Sequence, residues 1–214
     1  MFTGIVTDLG RVEEVTATVP GARDRRFRIR TSYVTAGIAE GASIACNGCC
    51  LTLVAKGQNW FAVDVSEETL SKTTLADWKV GTHVNLERSM KIGDEIGGHI
   101  VAGHIDGAGT VVSMRPDGSS IRYEISVPRN LGAHIAAKGS VALDGVSLTV
   151  NDVSDRDDVT VFGVNIIPHT QAVTTFGHLQ AGDRLNVEID LMARYVARLL
   201  SRDAATAIAR RKPS

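Results

Sequence analysis

Three cysteines fall within five residues: Cys46, Cys49 and Cys50. Cys46-Asn47-Gly48-Cys49 has the spacing of a redox or zinc pair. A redox pair needs a thiolate at a helix N-terminus, and zinc needs further ligands, usually from a second cluster. Here Asn47-Gly48 lies between two strand-like runs and reads as a hairpin turn, and no matching cluster follows. Cys50 has a counterpart in Ser147. Each stands two residues before a threonine, Thr52 or Thr149, and just after a tight turn, Asn47-Gly48 or Asp144-Gly145. Residues two apart in a strand share a face. A core cysteine is the plain alternative for Cys50, but serine is seldom fully buried, which speaks for a polar niche. His99 and His104 flank Ile100–Gly103 at a spacing that suits no metal pair. One of them reads as a polar or proton-relay residue, against a solvated loop histidine. Asp64–Thr69 and Asn165–Thr170 mark two places where a strand runs into a short helix. Free N–H groups at a helix start, with polar side chains, can hold a polyhydroxyl or an anion. Helix capping accounts for some of these residues in any case. No glycine-rich phosphate loop joins a strand to a helix.

The elements that must position these residues occur twice. At an offset of 99, Gly4, Gly10 and Val12 fall on Gly103, Gly109 and Val111. At 97, Ser43, Gly48, Leu51 and Thr52 fall on Ser140, Gly145, Leu148 and Thr149. At 101, Phe61, Val63, Thr69, Thr73, Thr74, Gly81, Asn85 and Glu87 fall on Phe162, Val164, Thr170, Thr174, Thr175, Gly182, Asn186 and Glu188. This period is too long for a solenoid and fits a duplicated domain. Each half reads as about six strands, placed in the first half near 4–15, 25–31, 43–47, 50–55, 60–65 and 82–88. Alternation in Phe27-Arg28-Ile29-Arg30 and His83-Val84-Asn85-Leu86-Glu87 marks half-buried strands. A short helix is expected at 67–75 and again at 168–176, where Pro168 suits a first turn. Short antiparallel strands avoid exposed edges by closing. The expected fold is all-β, two tandem six-stranded antiparallel Greek-key barrels related by duplication, plus a C-terminal α-helix. The domains are 1–97, 98–190 and a helix and tail at 191–214, with the join near Gly97-Gly98.

The tail shifts to helical period. Leu191, Met192, Tyr195, Val196, Leu199 and Leu200 form a stripe, with Arg194, Arg198 and Arg202 on another face. The stripe packs either on its own barrel or on another subunit. Arg210-Arg211-Lys212 reads as a solvated end. A net charge of -1, from 23 basic and 24 acidic residues, argues against a nucleic-acid binder. No apolar run approaches the roughly 18 residues of a membrane span. Met1–Val6 lacks the basic and apolar regions of a signal peptide. Three cysteines make no disulfide framework, which points to a reducing compartment and a cytoplasmic location.

Met1-Phe2-Thr3-Gly4-Ile5-Val6, Asn47-Gly48-Cys49-Cys50-Leu51-Thr52, Asp94-Glu95-Ile96-Gly97-Gly98-His99, Gly103-His104-Ile105 and Asp144-Gly145-Val146-Ser147-Leu148-Thr149 together resemble riboflavin synthase of the α-chain type, over residues 1–200. The resemblance implies tandem lumazine-binding barrels and a homotrimer assembled by the C-terminal helix. The implied reaction turns two 6,7-dimethyl-8-ribityllumazine molecules into riboflavin and 5-amino-6-(ribitylamino)uracil, the last step of riboflavin biosynthesis, with no cofactor or metal. By position, Gly4, Ile5, Val6, Ser43, Cys50, Leu51, Thr52, Asp64, Val65, Ser66, Glu67, Glu68 and Thr69 would line an N-domain site. Gly103, His104, Ile105, Lys138, Ser147, Leu148, Thr149, Asn165, Ile166, Ile167, Pro168, His169 and Thr170 would line a C-domain site. Cys50, Ser147, His104 and Phe2 are the candidates for chemistry. The resemblance places the working site between the N-barrel of one subunit and the C-barrel of a neighbour, and names lumazine synthase as a candidate associate. The alternative reading is a non-catalytic lumazine- or flavin-binding relative.

Overall fold

Alternating apolar residues fold into strands that turn one face inward, and twelve such strands close on themselves twice. The computed structural model describes residues 1–210, with side chains to residue 201. Arg211, Lys212 and the side chain of Arg210, read from the sequence as a solvated end, lie outside the described residues. The first barrel comprises β1 (Asp8–Ala17), β2 (Arg25–Arg30), β3 (Ser43–Cys46), β4 (Cys49–Gly57), β5 (Trp60–Val65) and β6 (His83–Arg88). The second comprises β7 (Gly107–Asp117), β8 (Ser120–Pro128), β9 (Ser140–Leu143), β10 (Val146–Arg156), β11 (Val159–Ile166) and β12 (Arg184–Ile189). Around the first barrel the strand order is β1-β2-β5-β4-β3-β6. The second repeats that circuit, antiparallel throughout.

Each barrel has its own apolar core. Phe27, Ile29, Leu53, Phe61, Val63, Val84 and Leu86 fill the first, and Tyr123, Ile125, Val150, Phe162, Val164, Leu185 and Val187 the second. Cys46 and Cys49 are part of the first core, directly opposite each other across the Asn47-Gly48 turn, with both thiols free. Burial pushes the Cys49 thiol up to about 12 and raises Cys46 as well. Both are therefore inert thiols.

The short helix α1 (Glu67–Lys72) closes the end of β5, and Ser66 caps it by accepting from the Thr69 N–H; α2 (Arg129–Gly132) lies between β8 and β9, and α3 (Pro168–Val173), with Pro168 in its first turn, closes the end of β11. The expected helices at 67–75 and 168–176 each break after about six residues. Thr73 and Thr174 stand in extended conformation and start separate 3-10 turns, Thr74–Asp77 and Thr175–Gly177. The 3-10 turn Thr35–Gly37 and α2 carry no apolar period and were not anticipated. The first strand begins at Asp8 and not near residue 4, because residues 2–6 leave the first barrel to bind the second.

The chain ends in α4 (Leu191–Arg210). Arg194 ties it to the second barrel through a two-pronged ion pair with Asp106, at 2.8 and 2.9 Å. The apolar stripe does not pack on its own barrel: Met192 is 72% exposed and Leu199 63%. No helix among the described residues is long and apolar enough to cross a membrane.

Candidate functional site

The candidate residues converge where the barrels meet, and they do so by exchange. The arm at residues 2–6 precedes β1 and the arm at residues 101–105 precedes β7. The arms pair with each other, Phe2 N–H to Val101 O at 2.8 Å and Val101 N–H to Phe2 O at 3.0 Å. Each arm then reaches the opposite barrel. Ser147 N–H donates to Gly4 O at 2.8 Å, and Cys50 N–H donates to Gly103 O at 2.8 Å. Gly4 and Gly103 have φ of +75° and +82°, and a Cβ there would lie 2.5 Å from the Ser147 Cβ and 2.6 Å from the Cys50 Cβ. Only glycine combines that conformation with that approach. Val6 packs against the second core and Ile105 against the first. The arms therefore serve the barrel opposite the one the sequence assigned to them: Gly4 and Val6 go with Ser147, and Gly103 and Ile105 with Cys50.

Two buried carboxylates bind the arms at their root. Glu87 of β6 accepts from Thr3 N–H at 2.6 Å and Gly4 N–H at 3.0 Å. Glu188 of β12 accepts from the N–H groups of Ala102, Gly103 and His104 at 2.7 to 3.0 Å. Burial raises the carboxyl of Glu188 to about 6, against the pull of those three N–H donors, and raises Glu87 too. Behind them lies a reciprocal amide lock. Asn85 donates to Asp144 O and Thr175 Oγ1, both at 2.9 Å, and accepts from Thr175 N–H. Asn186 donates to Asn47 O at 2.9 Å and accepts from Thr74 N–H at 2.8 Å. The sequence pointed to these residues only as matched polar positions in the repeat.

The two niches differ. Ser147 is enclosed by Gly4, Gly98 and His99, and His99 Nδ1 lies 2.7 Å from its Oγ. Burial lowers the His99 pKa, so the ring is neutral near pH 7. Its Nε2 is buried without a protein partner. A neutral ring that accepts the Ser147 hydroxyl proton at Nδ1 carries its own proton on that Nε2. The geometry thus brings His99 to Ser147, where the sequence favoured His104. His104 is exposed, held by its backbone. Cys50 is half-buried against Gly103 and against Phe2, whose ring is fully buried with Val101.

Beside the niches, Thr52 and Thr149 are exposed and Leu148 is half-buried, whereas Leu51 faces the first core. Ser43 and Ser140 stand across from those threonines. Lys138 is exposed with φ +68°, where the repeat has Gly41 at +84°. A lysine in that conformation is strained. At the strand-to-helix joints the side chains of Val65 and Ile166 turn into the cores. Asp64 is held by Arg26 at 2.7 and 2.8 Å, and Glu67 by Arg23 at 2.7 Å. Glu68, Ile167, Pro168 and His169 are exposed, and Thr69 and Thr170 half-buried. Asn165 donates to Asp117, and its Oδ1 is buried without a partner. Ile5 and Thr3 border a cleft of about 510 Å³. Among the described residues no group of three or more His, Cys, Asp or Glu could hold a metal ion.

Two like barrels with exchanged arms and paired polar niches define a duplicated tandem-barrel protein. The lumazine binding domain profile matches residues 3–89 and 102–190. The riboflavin synthase of Brucella abortus is 49% identical over 204 residues, 93% of this chain and 98% of that protein. That of Mycobacterium bovis is 41% identical over 94% of this chain and 98% of its own length. The chain belongs to the riboflavin synthase family. Among solved structures, LumP complexed with riboflavin superimposes with a TM-score of 0.77 at 26% identity, over 88% of this chain and 99% of that one. LumP complexed with 6,7-dimethyl-8-(1'-D-ribityl) lumazine gives 0.75 at 25%, with the same coverage.

Proposed function

We propose that the chain binds two molecules of 6,7-dimethyl-8-ribityllumazine, one per barrel, and moves a four-carbon unit from one to the other. The products are riboflavin and 5-amino-6-(ribitylamino)uracil. The observation that carries this reading is the exchange of arms, which builds two related but unequal niches around Cys50 and Ser147. Two identical substrates need two like sites, and much of the rate then comes from holding them together in the right orientation.

The acceptor must lose a proton from its 7-methyl group, whose carbon becomes a ring CH of riboflavin, and the donor must be attacked at C7, where its bond to N8 then breaks as the four-carbon unit leaves. Ser147 with neutral His99 is the better-equipped acid–base pair, and geometry supports it in that role. Among the described residues no imidazole is hydrogen-bonded to Cys50 as His99 is to Ser147. Thr52 and Thr149, with the joints at 64–69 and 165–170, would hold the ring and ribityl chain of each substrate.

The working site forms between the N-barrel of one subunit and the C-barrel of another in a homotrimer. The uncovered apolar stripe of α4 supports this, as does the exposure of His104 and Thr52. The reading also carries a cytoplasmic location, in keeping with three free thiols, and an association with lumazine synthase.

The test is to mix purified protein with the lumazine and no added cofactor. One riboflavin should form per two lumazines consumed. Bound but unchanged lumazine would make the chain a non-catalytic relative. That alternative has weaker support, since LumP is 25–26% identical while the riboflavin synthases above reach 41–49%.

A further inference from the structure

The duplication calls for two equivalent side-chain bridges between the barrels, and the structure has two that differ in kind. At the offset of 101, Asp77 falls on His178 and His83 falls on Arg184. One bridge is an ion pair, Arg184 Nη1 to Asp77 Oδ2 at 3.2 Å. The other, at the place related by the repeat, is a stack of His83 on His178, with ring centroids 4.5 Å apart and planes within 9°. Both rim a cleft of about 420 Å³ on the seam, bordered by Asn47, Asp144, Thr74 and Thr175. These four residues belong to the amide lock and its turns. The clasp therefore lies over the contacts that dock one barrel on the other.

Opposite charges hold the first bridge at any pH near neutrality. The second has no such support. Neutral imidazoles stack, but two protonated rings would place like charges face to face. The surroundings add to this. Arg11 of β1 is the register partner of His83. Asp77 is engaged by Arg184. The Asp183 carboxylate accepts from Gln180 N–H, and Asp144 is buried at the cleft edge.

We propose that His83 and His178 form a proton-sensitive clasp between the barrels, closed while both rings are neutral and loosened when both are charged. The direction of the His83 titration agrees: burial, then His178, then Arg11 lower its pKa below the ordinary 6.5. The unfolded chain then binds more protons than the folded one. The stabilisation is present above pH 6.5 and is lost as pH falls through that region. Loosening the clasp relaxes the docking that seats Gly4 on Ser147 and Gly103 on Cys50, so acid should weaken the site before either barrel unfolds.

Histidine NMR titrations and thermal unfolding at pH 5.5 and 7.5 test this, on the full chain and on two variants. His178→Asp gives His83 the counter-charge that Asp77 gives Arg184. His178→Gln removes the second ring without adding charge. The His83 midpoint should move up in both, further in His178→Asp. The fall in Tm from pH 7.5 to 5.5 should shrink in both relative to the parent. Other titrating groups are common to all three proteins and cancel in this comparison. A His83 midpoint that stays put in both variants, or an unchanged fall in Tm, would overturn the proposal.

Discussion

Replacing Asn85 by alanine tests whether barrel docking, and not barrel folding, controls the site. Asn85 is 2% exposed and lies on β6, yet every partner of its side chain belongs to the second barrel. The variant leaves the Asp144 carbonyl and the Thr175 N–H buried without partners. Each such orphan costs about 1–3 kcal/mol, and partial relaxation brings the sum to about 3 kcal/mol, or roughly a hundredfold in the docking equilibrium. The core of the first barrel does not include Asn85 and should keep most of its own stability. Urea unfolding followed by tryptophan fluorescence, which comes from Trp60 and Trp78 of the first barrel, beside a probe of the second barrel, should separate into two transitions. Turnover should fall by more than the folded fraction does, because the exchanged arms lose their seats. A loss under about 0.5 kcal/mol with coincident transitions and parental turnover would refute the reasoning, since it would mean the amide lock is not what docks the barrels.

Gly103→Ala should lower turnover strongly and cost about 2 kcal/mol or more, since it adds a contact with Cys50 to the strain of positive φ; Gly93→Ala, at φ +96° with nothing within 4 Å of a Cβ, carries the strain alone, and equal losses in the two would remove the close contact from the account. Burial pushes the Asp144 carboxyl up to about 7 from 3.8, so the folded state holds the proton more tightly and stability falls as pH rises between those values. Asp144→Asn, which copies Asn47 at the matched turn, should gain stability relative to the parent as pH rises, by at most about 4 kcal/mol; the same difference in urea unfolding at pH 5 and pH 8 would contradict this. Ser147→Ala and Cys50→Ala should each lower turnover more than stability, and unchanged turnover in both would remove these side chains from the mechanism. Polar substitutions at Met192, Val196 and Leu199 together should give a smaller species in light scattering that binds lumazine with little turnover, each buried polar group opposing assembly by roughly 1–3 kcal/mol; a fully active monomer would place both substrates within one chain.

Much of the molecule is local in origin, and that part was legible. The alternation in Phe27–Arg30 and the Asn47-Gly48 and Asp144-Gly145 pairs specify strands and hairpin turns from neighbours in sequence. The offset near 100 specifies that the whole circuit occurs twice. The matched Cys50 and Ser147 could be singled out because a repeat exposes what differs between copies. Other features follow from contacts that leave no local mark. Asn85 and Glu87 sit on the polar side of an alternating strand and look solvent-facing, yet they are 2% and 6% exposed, because a second barrel and an arm cover that side. Sequence period tells which residues share a face, not what lies against the face. The pairing of Gly4 with Ser147, and the placement of His99 beside Ser147, depend on chain segments more than 40 residues apart meeting across a docking surface. Only the folded packing of one barrel on the other decides them.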